Sequence, residues 1–220
     1  MKIRLNTLES LEDKITEDFF WRKWEMKNFE FQIKKFSIGV YSEPMALRSA
    51  VSLLCAHWEG FIRSASNYYV IHVISQRKKI KDLQTCFLAL KILKKMKIAG
   101  QSNKINPYID LLVEAEALKE EIFHIPYSEP NARIISTDSN LSYKKLEDII
   151  CRIGLDSSHY RKYKTQIEEQ LLERRHAIVH GEKRRIDKDE FLETYHLVIE
   201  LMEDFKDQII KAAENKAYLK

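Results

Sequence analysis

The sequence predicts an all-α protein, and three observations carry that prediction. Only five glycines and four prolines occur in 220 residues, too few for a turn-rich β architecture. Good helix formers, Leu, Ile, Lys and Glu, are plentiful. Apolar residues recur in steps of three and four along most of the chain, the period that puts them on one helix face. Hydrophobic residues make up 45% of the chain, enough for a core, so a single helical domain over 1–220 is expected.

Each element follows from local signals. Leu8 to Lys35 reads as a first helix with Phe19, Phe20, Trp24, Phe29 and Phe31 as core bulk. Ser42-Glu43-Pro44 starts a second, because proline is tolerated in a first turn and an acid suits the positive helix end. Its stripe, Leu47, Val51, Leu54, Trp58, Phe61, Ala65 and Tyr68, carries it to about Gln76. A third helix near Thr85 to Ile98 stops before Gly100. A fourth begins at Asn106-Pro107 and ends before Pro126.

Between Pro126 and Leu141 the periodicity lapses, predicting an irregular insertion with a short extended piece at Arg133 to Ser136. Ser142 caps a short helix closed by Gly154, and Ser157 or Ser158 caps the next. That helix ends on Arg175-His176-Ala177-Ile178-Val179-His180, with Gly181 as its left-handed stop. Asp187-Lys188-Asp189-Glu190 opens the last helix in a capping-box pattern, and Phe191, Tyr195, Val198, Met202, Phe205 and Ile209 continue it.

The net charge of +4 does not by itself mark a nucleic-acid binder. Two local clusters are more informative. Arg77, Lys78, Lys79, Lys81, Lys91, Lys94, Lys95 and Lys97 surround one acid, Asp82; Lys183, Arg184, Arg185 and Lys188 follow the Arg175–His180 string. Either suits phosphate contacts or a solvated helix face. Cys55, Cys86 and Cys151 are odd in number and widely spaced, which reads as small core residues rather than a disulfide frame. No apolar run reaches the length of a membrane span and no secretory leader is recognisable, so a cytoplasmic protein without membrane association is expected; the Asn140-Leu141-Ser142 sequon then carries no meaning.

The Arg175–His180 string holds the chemistry most worth following. Histidine exchanges protons near neutral pH and can take one from a ribose 2′-hydroxyl, while arginine holds a phosphate and stabilises charge developing on it. Neither step requires a metal. In a regular helix, however, residues five apart point about 140° away from each other. Either the helix relaxes at Gly181 and His180 swings inward, or a second copy supplies the partner residue across a two-fold axis.

Competing chemistries are available. Glu173 with His176 and Glu193 with His196 form two Glu-x-x-His pairs of the kind used in di-iron bundles, although they fall on consecutive helices. His176 and His180 could grip zinc, but spacing supplies no third ligand. Glu59, four residues before Arg63, has a plain reading as a helical ion pair. His57, His72, His124 and His159 read as surface or hydrogen-bonded core residues. No glycine-rich phosphate loop is present.

The string Leu172-Glu173-Arg174-Arg175-His176-Ala177-Ile178-Val179-His180-Gly181-Glu182 resembles the signature of the HEPN superfamily (higher eukaryotes and prokaryotes nucleotide-binding). That signature is an arginine, usually followed by a polar residue, with a histidine four to six residues on near a helix end. Met45 to Tyr69, with Ala56-His57-Trp58-Glu59-Gly60-Phe61, resembles a subgroup known as HEPN nucleases, and Ser139-Asn140-Leu141 and Ile153-Gly154-Leu155-Asp156 extend the likeness.

The resemblance touches roughly Met45 to His196. It implies an HEPN-type bundle of long antiparallel helices, elaborated by the helix 8–35 and the insertion near 126–141. Arg175 and His180 become the catalytic pair, His176 and Glu59 supporting residues, and Arg174, Lys183, Arg184 and Arg185 candidate RNA contacts. The implied activity is RNA cleavage without metal or other cofactor, by a homodimer with a composite site, in a toxin–antitoxin or other defence system with a cognate antitoxin protein. The alternative is an inactive relative that binds RNA, nucleotide or protein without cutting.

Overall fold

The computed structural model describes residues 5–35, 42–127, 133–138 and 140–220. Ser139 and part of the expected insertion lie outside these. The described elements are helices and turns, with two isolated antiparallel bridges, Lys79 to Ile122 and Leu83 to Leu219, so the fold is all-α as expected. Among the described residues no helix is long and apolar enough to cross a membrane.

Three long helices form the body: α1 (Leu8–Lys35), α2 (Ser42–Ser75) and α8 (Lys188–Glu214). Ring contact of Phe19 with Phe61 and the reach of Arg22 to the His57 carbonyl set α1 antiparallel to α2. The Lys23–Glu203 ion pair and the Lys206 ammonium over Phe19 set it antiparallel to α8 as well. α2 and α8 therefore run in the same direction. One apolar cluster threads all three, from Leu5 through Trp58 and Phe61 to Phe205 and Tyr218.

α1 departs from expectation in which aromatics it buries. Phe19 is core, but Phe20, Trp24 and Phe31 are 60%, 70% and 56% exposed. The physical reason is that α2 and α8 cover only the Leu11, Ile15, Phe19, Arg22, Met26 and Ile33 face. Phe20, Trp24 and Phe31 are spaced to share the opposite stripe. Inside the α1–α2 contact a charged network replaces apolar packing. Arg22 donates to Asp18 through Nε and Nη2 at 3.0 and 3.2 Å, and Gly60 of α2 leaves space for its guanidinium.

The shorter helices are α3 (Thr85–Ala99), α4 (Asn106–Leu118) and α5 (Tyr143–Arg152). α4 stops well before Pro126, and its single buried residue is Leu118. Its carboxylates, with those just beyond it, answer the first basic cluster: Glu120 pairs with Lys79 and Lys81, Glu121 with Lys91, and Glu114 with Lys95. Among the described residues four of its eight basic side chains are thus paired with carboxylates. Ser142 caps α5 by accepting from the Lys145 amide, and left-handed Gly154 (φ 74°) closes it.

The cysteines divide rather than all entering the core: Cys55 is buried, Cys86 partly buried and Cys151 exposed, and none is disulfide-bonded. Cys151 falls off the buried stripe of α5, which runs Tyr143, Leu146, Ile149 and Ile150.

Candidate functional site

The helix that carries the candidate motif is not one regular helix. It opens as a tight 3₁₀ turn, Ser158–Tyr163, passes through α6 (Lys164–Gln166) and a wide π turn, Ile167–Glu173, and ends in α7 (Arg174–Val179). Its cap is not a serine side chain as expected. Asp156 accepts the Ser158 amide at 3.0 Å and the Ser158 hydroxyl as well. No glycine or proline marks the π turn in sequence, although such turns recur at functional sites. Cys55 of α2 donates its thiol to the Leu171 carbonyl within it, at 3.4 Å.

At its C-terminal end α7 closes as the sequence predicts. Gly181 has φ 74°, its amide bonds the Ile178 carbonyl at 3.2 Å, and the Glu182 amide reaches the Ala177 carbonyl at 2.8 Å. His180 is the capping residue and its amide still bonds the His176 carbonyl at 2.9 Å. The helix thus relaxes over His180 and Gly181, yet His180 does not swing inward. Its ring lies on the exposed face, edge-on to the His176 ring at 5.9 Å between centroids.

Arg174 and Arg175, adjacent in sequence, have different surroundings. Arg174 is 7% exposed and tied to α8, donating through Nη1 to the Glu190 carbonyl at 2.9 Å and the Thr194 hydroxyl at 2.7 Å. It is a buried strut, not the RNA contact expected of it. Arg175 is half-buried and borders a small cleft with Cys55, Trp58, Glu59, Leu141, Leu171 and Leu172, with room for about one water molecule.

This cleft brings Glu59 of α2 to the same place as Arg175 of α7. Among the described residues no ion pair joins Glu59 to Arg63; instead Glu59 Oε1 accepts the Thr137 hydroxyl at 2.7 Å. Burial pushes the neighbouring Cys55 thiol up to about 12, so it stays protonated and inert at neutral pH; the Arg175 guanidinium pulls the other way. Leu141 lines the cleft, and Asn140, one residue before it, accepts from His176 Nε2 at 3.1 Å. Lys183, Arg184 and Arg185 are exposed just past the motif. Arg48 of α2 holds that loop by donating to the Glu182 and Arg184 carbonyls at 2.6 and 3.0 Å.

Thr137 and Arg48 were not legible as site residues in the sequence, and Asn140 only as part of the Ser139-Asn140-Leu141 likeness, because each reaches its partner across a gap of 36 or more positions. Among the described residues no group of three or more His, Cys, Asp or Glu is placed to hold a metal ion. Glu173, His176, Glu193 and His196 are all exposed and do not converge as the di-iron alternative requires.

Neither a curated protein nor a solved structure gives a match to the chain. A family model described as RiboL-PSP-HEPN matches residues 17–211, from the third turn of α1 to the last turn of α8. With more than half of its length matched, the chain belongs to the RiboL-PSP-HEPN family, within the HEPN superfamily.

Proposed function

We propose that the protein is an endoribonuclease that cleaves RNA without a metal ion, by attack of a ribose 2′-hydroxyl on the adjacent phosphate. Membership of the HEPN superfamily ties the chain to nucleotide- and RNA-related function. The observation that carries the finer reading is the cleft where Arg175 of the motif and Glu59 of α2 meet, with His176 and His180 paired on the neighbouring face.

In this reading His180 takes the 2′-hydroxyl proton as the 2′-oxygen bonds to phosphorus. Arg175 holds the non-bridging oxygens as negative charge builds, and Glu59 orients the guanidinium. The bond from phosphorus to the 5′-oxygen breaks, and the leaving oxygen receives a proton. The products are a 2′,3′-cyclic phosphate and a 5′-hydroxyl end. Arg175 in the cleft and His180 on the outer face favour a homodimer in which Arg175 of one copy and His180 of the other serve one phosphate. Val179, 63% exposed between the two histidines, belongs to the seam such a dimer would bury. A toxin held in check by a cognate antitoxin protein is the setting this activity fits.

The test is incubation of the full chain with single-stranded RNA in EDTA. Cyclic-phosphate product is expected from the wild type and its loss from Arg175→Ala and His180→Ala. Unchanged cleavage by both variants overturns the assignment, and RNA binding without any cleavage supports the inactive alternative.

A further inference from the structure

The segment from Arg133 to Leu141 was expected to be an irregular insertion, yet its described residues make directed contacts with the candidate site from both sides. Its entry is fixed by Asn67 of α2, itself 2% exposed. The Asn67 carbonyl oxygen accepts the Ile134 and Ile135 amides at 2.9 and 3.0 Å, and its amide nitrogen donates to the Ile135 carbonyl at 3.0 Å. Three bonds from one buried side chain dock Ile135, which is fully buried, against α2.

Beyond that anchor the segment turns sharply. Asp138 adopts φ 54°, a left-handed conformation that costs a non-glycine residue energy. The turn is held by the Ser136 hydroxyl, which donates to Asp138 Oδ1 at 2.9 Å and accepts the Asp138 amide at 3.1 Å, and by Lys145 of α5, which pairs with Asp138. On one side of the turn Thr137, 1% exposed, aims its hydroxyl at Glu59. On the other, Asn140 meets His176 and Leu141 lines the cleft that Arg175 borders.

We infer that residues 133–138 with Asn140 and Leu141 act as a positioning strap for the RNA-cleaving site, Thr137 setting the Glu59 carboxylate that orients Arg175 and Asn140 setting the ring of His176. This rests on the function proposed above. The direction of each bond carries the assignment. Thr137 can donate one proton, and giving it to Glu59 leaves the second carboxylate oxygen for the cleft. A carbonyl oxygen on Asn140 can only accept, so His176 presents an N–H to it from Nε2. Neither residue touches the reacting phosphate, so both are positioning residues.

The experiment compares the full-length wild type with Thr137→Val, Thr137→Ser and Asn140→Ala. Steady-state cleavage of single-stranded RNA in EDTA is read beside nitrogen-15 NMR of the histidine rings. Thr137→Val keeps the shape and removes the donor, so kcat should fall about tenfold with KM within about twofold, and Thr137→Ser should recover most of the loss. In Asn140→Ala the His176 ring nitrogens should move from the pattern of a proton fixed on Nε2 toward that of mixed tautomers, while the other rings stay in place.

Equal kcat for Thr137→Val and wild type, or no difference between the valine and serine variants, overturns the strap at Glu59. Unmoved His176 signals in Asn140→Ala overturn it at His176. If the wild type itself cuts no RNA, the ribonuclease reading fails, and the His176 spectra still decide whether Asn140 sets the ring. Should Thr137→Val not fold, the spectra of Asn140→Ala, on the exposed side of the segment, carry the test alone.

Discussion

Replacing Arg174 and Arg175 by alanine, one at a time, should produce opposite phenotypes from neighbouring positions. Arg174 makes two well-formed bonds, a part-buried one of 2.9 Å to the Glu190 carbonyl and a buried one of 2.7 Å to the Thr194 hydroxyl, and a longer one of 3.3 Å to the Glu190 carboxylate. Thr194 is 0% exposed, so water cannot take the place of the lost donor. Thr194 also donates to the Glu190 carbonyl at 2.8 Å, which keeps these groups partly satisfied and trims the loss.

Two charge-assisted bonds at about 1.5–3 kcal/mol each put the cost of Arg174→Ala at roughly 3–5 kcal/mol. At roughly 2–4 °C per kcal/mol for a chain of this size, Tm falls by about 6–20 °C. Arg175→Ala should move Tm by no more than about 4 °C and abolish RNA cleavage. Differential scanning calorimetry and the EDTA cleavage assay read the two quantities separately. A variant lacking Arg174 that keeps its Tm, or one lacking Arg175 that melts as early as its neighbour, refutes the division between strut and site residue.

Two further expectations concern the α1–α2 contact. Gly60→Ala should destabilise by about 1–3 kcal/mol although alanine is the better helix former, because the new Cβ would lie 2.6 Å from Arg22 Nη1. In an Arg22→Ala background the same change should become neutral or stabilising, and a thermal-melt double-mutant cycle without coupling would disprove it. Burial holds His57 and His72 below the ordinary imidazole value. The Arg22 guanidinium pushes His57 further down, and Glu25, 3.1 Å from its Nε2 without hydrogen-bond alignment, pulls it back. Both take up a proton less readily in the fold than in the unfolded chain, which gains one near pH 6.5, so their contribution is intact above that value and fades as pH falls below it. Tm should therefore drop between pH 7 and pH 5, less steeply in a His57→Gln, His72→Asn double variant; parallel curves would contradict this.

Where the determinants were local, the sequence was a sufficient guide. The bounds of α1, the serine cap of α5, the stops at Gly154 and Gly181 and the capping box at Asp187 were all legible, since each is decided by side chains and backbone within a few positions. Arg175 and His180 could be singled out together because they belong to one short string. The aromatic face of α1 was misassigned for the opposite reason: hydrophobicity says that Phe20, Trp24 and Phe31 can be buried, not that α2 and α8 have no surface left to bury them.

By itself, then, the sequence determined that the chain is helical, where most helices begin and end, and which residue types can do phosphate chemistry. Only the tertiary structure decided that Arg174 faces α8 while Arg175 faces the cleft, that Glu59 is held by Thr137 rather than Arg63, and that Asn140 meets His176. The physical reason lies in range. Periodicity and capping energies act over a turn or two of helix, whereas a half-buried arginine and a buried carboxylate take their roles from neighbours that folding brings from tens of residues away.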